Sequence, residues 1–561
     1  MKNQIVNLLS QNIEVLTSEE ISQLIEIPPK PEMGDFAFPC FRLAKSYHKA
    51  PPMIAQDLKE SIGDQAFLSE IKVVGGYLNF YVDKAQYAQQ IIDKYSNATD
   101  YGCSDQGKDK TICIDYSSPN VAKNFHVGHL RTTIIGNSLY KIFSKLGYKV
   151  VRINHLGDWG TQFGKLIVAY KKWGSREAVE EKGIEELMDI YVKFHEEAEK
   201  DDSLNDEARA WFLKMEQGNE EALEIWQWFR DISLKEFMRV YNILGMEFDS
   251  FAGESFYRDK TADVIKRLTD DGLLKESQGA MIVPLDEYDM PPCIVAKKDG
   301  SSIYATRDLA AILYRKATYN FDRCLYVTGL EQKLHFAQVF KVIELMGNDY
   351  AKNLVHIPYG LVSLKSGKIS SRKGNVIFAE DLLRESINKT TSIIEEKNPD
   401  IPDKEEVAKQ VGIGAIIFND LYNQRIKDVI FDWNKLLNFD GETGPYVQYT
   451  YARASSVLRK IGEVPDTIDY TLLTDEASIG LLKEIERYPQ VIKDAAERYE
   501  PSVIARYSID LAHAFNKFYH ECQINVEDET TKYTRTNVVK IARYIIKDAL
   551  SLLGIQCPEQ M

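Results

Sequence analysis

The segment from Thr111 to Asn154 constrains the fold more than any other part of this chain. It opens with a β-branched run, Thr111 to Ile114, that is expected to form a buried strand. A Ser-Ser-Pro-Asn turn follows and leads to His126-Val127-Gly128-His129. From Leu130 the apolar residues recur at helical spacing (Leu130, Ile134, Ile135, Leu139, Ile142, Phe143, Leu146), and Gly147 supplies a helix stop. Lys149 to Ile153 then reads as a second strand. A strand, a helix and a strand in this order predict a right-handed crossover within a parallel sheet. The loop leaving the first strand lies at the carboxyl edge, where such sheets bind ligands. It also opens a helix, whose free N–H groups and positive end favour phosphate.

His126 and His129 sit at that helix start. Imidazoles donate to phosphate oxygens, and Gly128, lacking a Cβ, lets a base or ribose approach the backbone. Nucleotide binding is one reading; two surface histidines without a role is the other. A metal needs further ligands. His155 is nearby, but the glutamates of a zinc-protease motif are absent.

Two further features belong to the same edge. Asp115 ends the first strand, and Asp308 lies in the Tyr-Ala-Thr-Arg-Asp turn with Tyr304. Two carboxylates and a tyrosine can grip a planar guanidinium, and a cationic ligand gives a buried carboxylate its partner. The alternatives are a helix cap for Asp308, and pairing with Arg307 or another arginine for Asp115. The second feature is LKSGKISSRKGNVI at Leu364–Ile377, a glycine-bracketed loop with Lys365, Lys368, Arg372 and Lys373 and hydroxyls at Ser370 and Ser371. Its cations can neutralise a triphosphate; a solvated basic loop is the alternative.

At 561 residues the chain is too long for one core and divides into about three domains. Residues 1–100 are expected to be a small α+β domain, with Phe36, Phe38 and Phe41 as core rather than RNA platforms. Residues 101–380 form an α/β Rossmann-type domain, with a charged helical insertion at about 165–241 packed by Trp211, Trp226, Trp228 and Phe229. The sheet is expected to resume after about Gly279, with CLYVTG at Cys324–Gly329 as another strand. Residues 381–561 read as helices throughout, an all-α bundle. VGIGAI from Val411 lacks the third glycine and the strand context of a dinucleotide loop. In the last helix Val539, Ala542, Ile546, Ala549 and Leu553 form an apolar stripe, while Lys540, Arg543 and Lys547 form a basic face. That face, with Tyr533 and Tyr544, suits RNA or plain solvent.

The net charge of −15 lowers the expectation of a nucleic-acid partner without dismissing it, because acidity concentrates locally, as at Glu180–Glu186, Glu196–Asp202 and Asp400–Glu406. Seven cysteines without a CxxC pair argue against a disulfide framework or zinc module. No apolar run is long enough to span a membrane, and the amphipathic N-terminus has no signal-peptide core. A cytoplasmic protein is expected.

The residues around His126 and His129 resemble the HIGH signature of class I aminoacyl-tRNA synthetases. DYSSPNVAKNFHVGHL with HLGDWGTQFG at His155–Gly164 resembles arginyl-tRNA synthetases in particular, and the loop at Lys368-Ile369-Ser370-Ser371-Arg372 resembles KMSKS, with Ser371 in place of its second lysine. GDFAFP and GGYLNF resemble the family's N-terminal domain, DALSLLGIQCPEQM resembles its helical anticodon-binding domain, and the resemblance also covers GPYVQYTYAR at Gly444–Arg453. The resemblance implies an arginine–tRNA ligase that forms arginyl-adenylate from L-arginine and ATP, with Mg2+, and charges tRNA-Arg. It implies catalytic roles for Lys123, His126, His129, Lys368 and Arg372, with Lys123 replacing the missing lysine. It implies ATP contacts at His126, Gly128, His129, His335, Gln338, Lys368 and Ser370. It implies arginine contacts at Asp115, Asn120, Tyr304, Asp308 and Gln332, and no resident metal. Family precedent implies a monomer with no membrane partner, and activation that waits for tRNA. The competing readings are a synthetase for another amino acid, lysine first, and a non-catalytic RNA-binding paralogue.

Overall fold

In the computed structural model, which describes residues 1–296, 304–364, 367–368 and 378–561, the N-terminal apolar positions are buried as their spacing predicts. Helix α1 (Lys2–Ser10) buries Ile5, Val6, Leu8 and Leu9. Strand β1 (Phe36–Pro39), helix α2 (Pro51–Ile62), strands β2 (Leu68–Val74) and β3 (Tyr77–Val82) and helix α3 (Lys84–Ser96) follow. The strands form an antiparallel sheet in the order β1-β3-β2. Phe38 is fully buried and Phe36 packs against the same core, but Phe41 is 51% exposed, edge-on to Tyr77. Its expected core position fails because Cys40–Leu43 leaves the strand as a 3-10 turn, which breaks the alternation of faces.

The strand–helix–strand at Thr111–Asn154 is present as β4 (Thr111–Asp115), α4 (Val127–Lys145) and β5 (Lys149–Ile153). The insertion contains a short helix at Arg176–Lys182 and four longer ones, α5 (Thr161–Trp173), α6 (Ile184–Ala198), α7 (Ser203–Glu216) and α8 (Glu220–Leu244). Trp226 meets Trp159 edge-on at 5.3 Å, Trp228 and Phe229 flank Tyr170, and Trp211 is buried. A short helix α9 (Glu254–Tyr257) and a separate antiparallel sheet come next, formed by β6 (Lys275–Ser277), β7 (Ala280–Val283) and β8 (Cys293–Ala296). Here the sequence reading is corrected: these hairpin strands do not resume the parallel sheet, which continues only after α10 (Tyr304–Tyr319) with β9 (Arg323–Gly329), α11 (Lys333–Leu345) and β10 (Leu354–Tyr359).

The parallel sheet runs in the order β10-β9-β4-β5. Strand order reverses between β4 and β9, so the crevice at their carboxyl ends is the ligand position of a doubly wound sheet. Beyond it lie β11 (Val362–Leu364), β12 (Gly367–Lys368), α12 (Ala379–Lys397), α13 (Lys404–Tyr422) and β13 (Val429–Phe431). The stretch after 381 is therefore not helical throughout. Val429–Phe431, β-branched and aromatic, pairs in parallel with β11. Gly412 and Gly414 are interior to α13, where a Cβ on Gly412 would meet the backbone of Ile387 at 3.0 Å, so these glycines serve close helix packing.

Helices α14 (Gly444–Ile461), α15 (Glu476–Glu497), α16 (Ser502–Glu521) and α17 (Glu529–Leu552) complete the chain. The predicted stripe of Val539, Ala542, Ile546, Ala549 and Leu553 is fully buried. Two compact units result: one of residues 1–101, 454–488 and 510–545, the other of residues 102–453, 489–509 and 546–561. No helix among the described residues is long and apolar enough to cross a membrane.

Candidate active site

The turn after β4 is held in an unusual backbone conformation. Ser117, Ser118 and Ala122 all have positive φ, at 69°, 45° and 58°, which costs about 1–3 kcal/mol per residue. Side chains on two helices hold it there. Thr132 on α4 accepts from the Ser117 N–H at 3.2 Å, while on α8 Ser233 accepts from the Ala122 N–H at 2.9 Å and Tyr241 bonds the Ser117 hydroxyl at 2.7 Å. The insertion thus braces the site's entry turn. Asn120 bridges to Gly157, where any Cβ would come within 2.2 Å of the Asn120 Oδ1.

His126 is the N-cap of α4. Its Nδ1 accepts from the Gly128 N–H at 3.0 Å, and the His129 Nδ1 accepts from the His126 N–H at 3.4 Å. This is a capping box built from two imidazoles. The rings stack with centroids 3.8 Å apart and planes 20° apart. A Cβ on Gly128 would lie 2.8 Å from the His126 ring, so glycine here lets the imidazole fold over the helix end. Burial, then the charge of Lys123, lowers the pKa of His126. Burial, then His126 and Lys123, holds His129 well below its ordinary 6.5. Both rings are therefore neutral near pH 7, and because Nδ1 accepts, each carries its proton on Nε2 as a donor. Lys123 is exposed beside them.

The acidic end is built differently. Asp115 is buried, its Oδ2 2.8 Å from the Arg315 Nη2 and its Oδ1 accepting from the Ser118 hydroxyl at 2.8 Å. Of the alternatives open at sequence level, pairing with a protein arginine is the one observed, with Arg315 rather than Arg307. Arg315 also reaches the His155 Nδ1 at 3.3 Å, which gives the third histidine a structural partner. Arg307 pairs with the buried Glu254 on α9, and its guanidinium carbon lies 5.2 Å from the centre of the Tyr304 ring, a residue 59% exposed. Burial pushes Glu254 up to about 8, against the pull of Arg307 and with added push from Asp308 and Asp158. Asp308 bonds His335 at 2.6 Å. Burial alone would raise Asp308, but the His335 hydrogen bond and charge outweigh it and hold the carboxyl below its usual range. The same bond lifts His335 against its own burial.

The sequence-predicted residues thus divide. Lys123, His126, Gly128 and His129 share the α4 N-terminus; Asp115, Tyr304 and Asp308 gather around Arg307, Arg315 and His155. His335, expected near a ribose, is bonded to Asp308. Gln338 donates to the carbonyls of Pro291 at 2.8 Å and Pro292 at 3.3 Å, turned toward the entry to β8. Gln332 is exposed at the turn after β9. Lys368 is placed by its backbone, in β12 opposite Ser363; Ser370 and Arg372 lie outside the described residues. The sequence reading missed Glu254 and Arg315. Arg315 stands two turns beyond Asp308 on the same face of α10, a spacing that pointed to it.

Three family models match the chain: the class I tRNA synthetase (R) catalytic domain over residues 90–433, the DALR anticodon-binding domain over 447–561, and the arginyl-tRNA synthetase N-terminal domain over 3–82. The arginine–tRNA ligase of Clostridioides difficile is 55% identical, covering 99% of each chain, and that of Clostridium perfringens is 56% identical, covering 97% of each. Among solved structures, the Thermus thermophilus arginyl-tRNA synthetase matches with a TM-score of 0.82 at 24% identity, covering 100% of this chain and 99% of that one, which is a likeness of fold.

Proposed function

The chain belongs to the arginyl-tRNA synthetase family, and we propose that its two site ends divide the work of an arginine–tRNA ligase between them. The enzyme activates L-arginine with ATP to arginyl-adenylate and transfers the arginyl group to the 3′-terminal adenosine of tRNA. The arginine carboxylate attacks the α-phosphorus of ATP, the bond to the pyrophosphate oxygen breaks, and pyrophosphate leaves. Such a step asks little covalent chemistry of the protein, so position and charge dominate.

The Nε2–H groups of His126 and His129, at the positive end of α4, receive the phosphates; Gly128, whose Cβ position is taken by the His126 ring, serves them by letting that ring fold over the helix end. Lys123, Lys368 and Arg372 neutralise the charge that grows on the pyrophosphate, with Ser370 as a further donor, and ATP arrives with Mg2+. Tyr304 and Asp308 take the guanidinium; Asp115 supplies charge behind Arg315. Asn120 and Gln332 meet the amino acid's backbone groups, and His335 and Gln338 flank the ribose side. The 2′-hydroxyl of the terminal adenosine then accepts the arginyl group of tRNA-Arg. The N-terminal domain and the helical C-terminal domain carry the remaining tRNA contacts, and the enzyme works as a cytoplasmic monomer, which light scattering checks.

The observation that carries this reading is the pair of stacked imidazoles whose Nδ1 atoms cap the helix end beside the β4/β9 switch point. Its test is arginine-dependent ATP–pyrophosphate exchange, with and without tRNA-Arg. Exchange that requires tRNA supports the ligase and the family's coupling. Exchange without tRNA keeps the ligase and removes the coupling. Lysine activated as fast as arginine would overturn the specificity, and silence in folded protein would overturn the activity.

A further inference from the structure

One buried arginine belongs to neither end of the site. Arg131 on α4 is 1% exposed. Its Nη1 donates to the carbonyl of Leu361 at 3.1 Å, and its Nη2 donates to those of Arg425 at 3.0 Å and Lys427 at 2.8 Å. Its Nε lies 3.4 Å from the Asp420 carboxylate on α13. Leu361 immediately precedes β11, the strand that leads into the signature loop. Arg425 and Lys427 lead into β13, the partner of β11. The two segments are laced together: the Gly360 N–H donates to the Arg425 carbonyl at 2.9 Å, the Leu361 N–H to Asp428 at 2.7 Å, and the Val429 N–H to the Leu361 carbonyl at 2.9 Å. They also pass so closely that a Cβ on Gly360 would lie 2.7 Å from the Ile426 carbonyl oxygen.

A second guanidinium extends the joint. The Arg425 Nη1 donates to the carbonyl of Pro358, the penultimate residue of β10, at 2.6 Å, and its Nε donates to that of Tyr499 at 3.0 Å. Its backbone N–H donates to Glu500 at 3.2 Å. Tyr499 and Glu500 form the turn between α15 and α16. Only a planar fork of donors reaches three carbonyls from two segments at once; a lysine ammonium has neither the span nor the fixed geometry. Burying such a group is a poor way to gain stability, since apolar side chains of like volume often do as well or better. What it fixes is relative position.

We infer that Arg131 is a positioning residue for the activation step: it sets β11, and so the start of the Lys368 loop, against the helix end that carries His126 and His129. Arg425 ties the same joint to the α15–α16 turn. The inference rests on the reading of those histidines and that loop as the ATP-binding parts. Arg131→Lys and Arg425→Lys in the full chain test it, through ATP and arginine kinetics of the exchange reaction with tRNA present, alongside thermal melting. A displacement of about 1 Å remote from the chemistry can cost about 100-fold. The expected result is therefore a loss of kcat/KM for ATP approaching 100-fold in Arg131→Lys and smaller in Arg425→Lys, with the arginine KM within about threefold and melting little changed. Wild-type kinetics in either folded variant would overturn the inference. So would ATP and arginine parameters falling together with melting temperature, the mark of a merely structural role. If Arg131→Lys does not fold, Arg425→Lys decides alone. Absence of exchange in the wild-type chain would instead overturn the ligase reading beneath the inference, and the inference with it.

Discussion

At the N-terminus of α4 the two imidazoles are neutral and bonded to backbone; around α10 the acidic side chains are each held by a basic one. His126 and His129 use one ring nitrogen on an amide of their own helix and leave the other as a donor, so no counter-charge has to be buried with them. Asp115, Glu254 and Asp308 each sit against Arg315, Arg307 and His335. A group waiting for an anion can rest as a neutral dipole. A carboxylate waiting for a cation cannot, because an unpaired buried charge is expensive. It needs a placeholder, and a histidine, able to give up its proton, is the replaceable kind. On the proposed function, Asp308–His335 is then the pair that an incoming guanidinium opens, while Asp115–Arg315 stays as framework.

The largest effect should come from removing the replaceable carboxylate. Asp308→Ala is expected to lower kcat/KM for arginine on the order of 1000-fold, with arginine selectivity lost and the fold retained, since truncating one member of a hydrogen-bonded charge pair costs about 2–5 kcal/mol. Steady-state kinetics with arginine and lysine check this, and near-wild-type activity would erase the distinction between the pairs. Arg315→Met should act on stability instead, by about 3–5 kcal/mol, because it strands the buried Asp115. A denaturant midpoint that does not move would show Asp115 to be solvated. At the neutral end, His126→Ala should slow activation by about 100-fold, the scale of one lost transition-state donor. His126→Asn, which keeps a cap and a donor, should recover part of that. Equal loss in both variants would mean that the ring stack matters and the donor does not.

Legibility follows the same division. The strand–helix–strand around His126 was readable because periodicity, turn chemistry and the helix stop agree over one continuous stretch. The buried α17 stripe was readable for the same reason. The antiparallel β6–β8 sheet and the lone β13 strand were not, since runs of three or four residues carry too little pattern and are decided by partners distant in sequence. Phe41 went astray because a 3-10 turn reset its face. In the site, the residue types were legible and their partners were not. Nothing local says that Asp115 meets Arg315 two hundred residues on, that Glu254 backs Arg307, or that three carbonyls from two loops converge on Arg131. Long-range polar pairing is a property of the fold, and a motif records only one side of it.

The smallest effect offers the finest comparison, because pH should move the two ends in opposite directions. His126 and His129 have folded pKa values depressed below 6.5. Above 6.5 they are neutral in both folded and unfolded chains. As pH falls below it, the unfolded chain takes up protons that the native site resists, and stability declines. Protonation also removes the Nδ1 acceptors that cap α4. His335 has its folded value raised above 6.5 by Asp308, so its contribution is complete below 6.5 and disappears as pH rises through the elevated value. Between about pH 7 and about pH 5.5, therefore, the α4 end should weaken while the Asp308–His335 pair tightens against its ligand. The arginine KM should rise a few-fold on acidification, and His335→Gln should flatten that rise while leaving the fall in stability, which belongs to the imidazole pair. A wild-type arginine KM that stays constant across this range would mean that arginine does not displace His335, and that the acidic end is as fixed as the framework pair beside it.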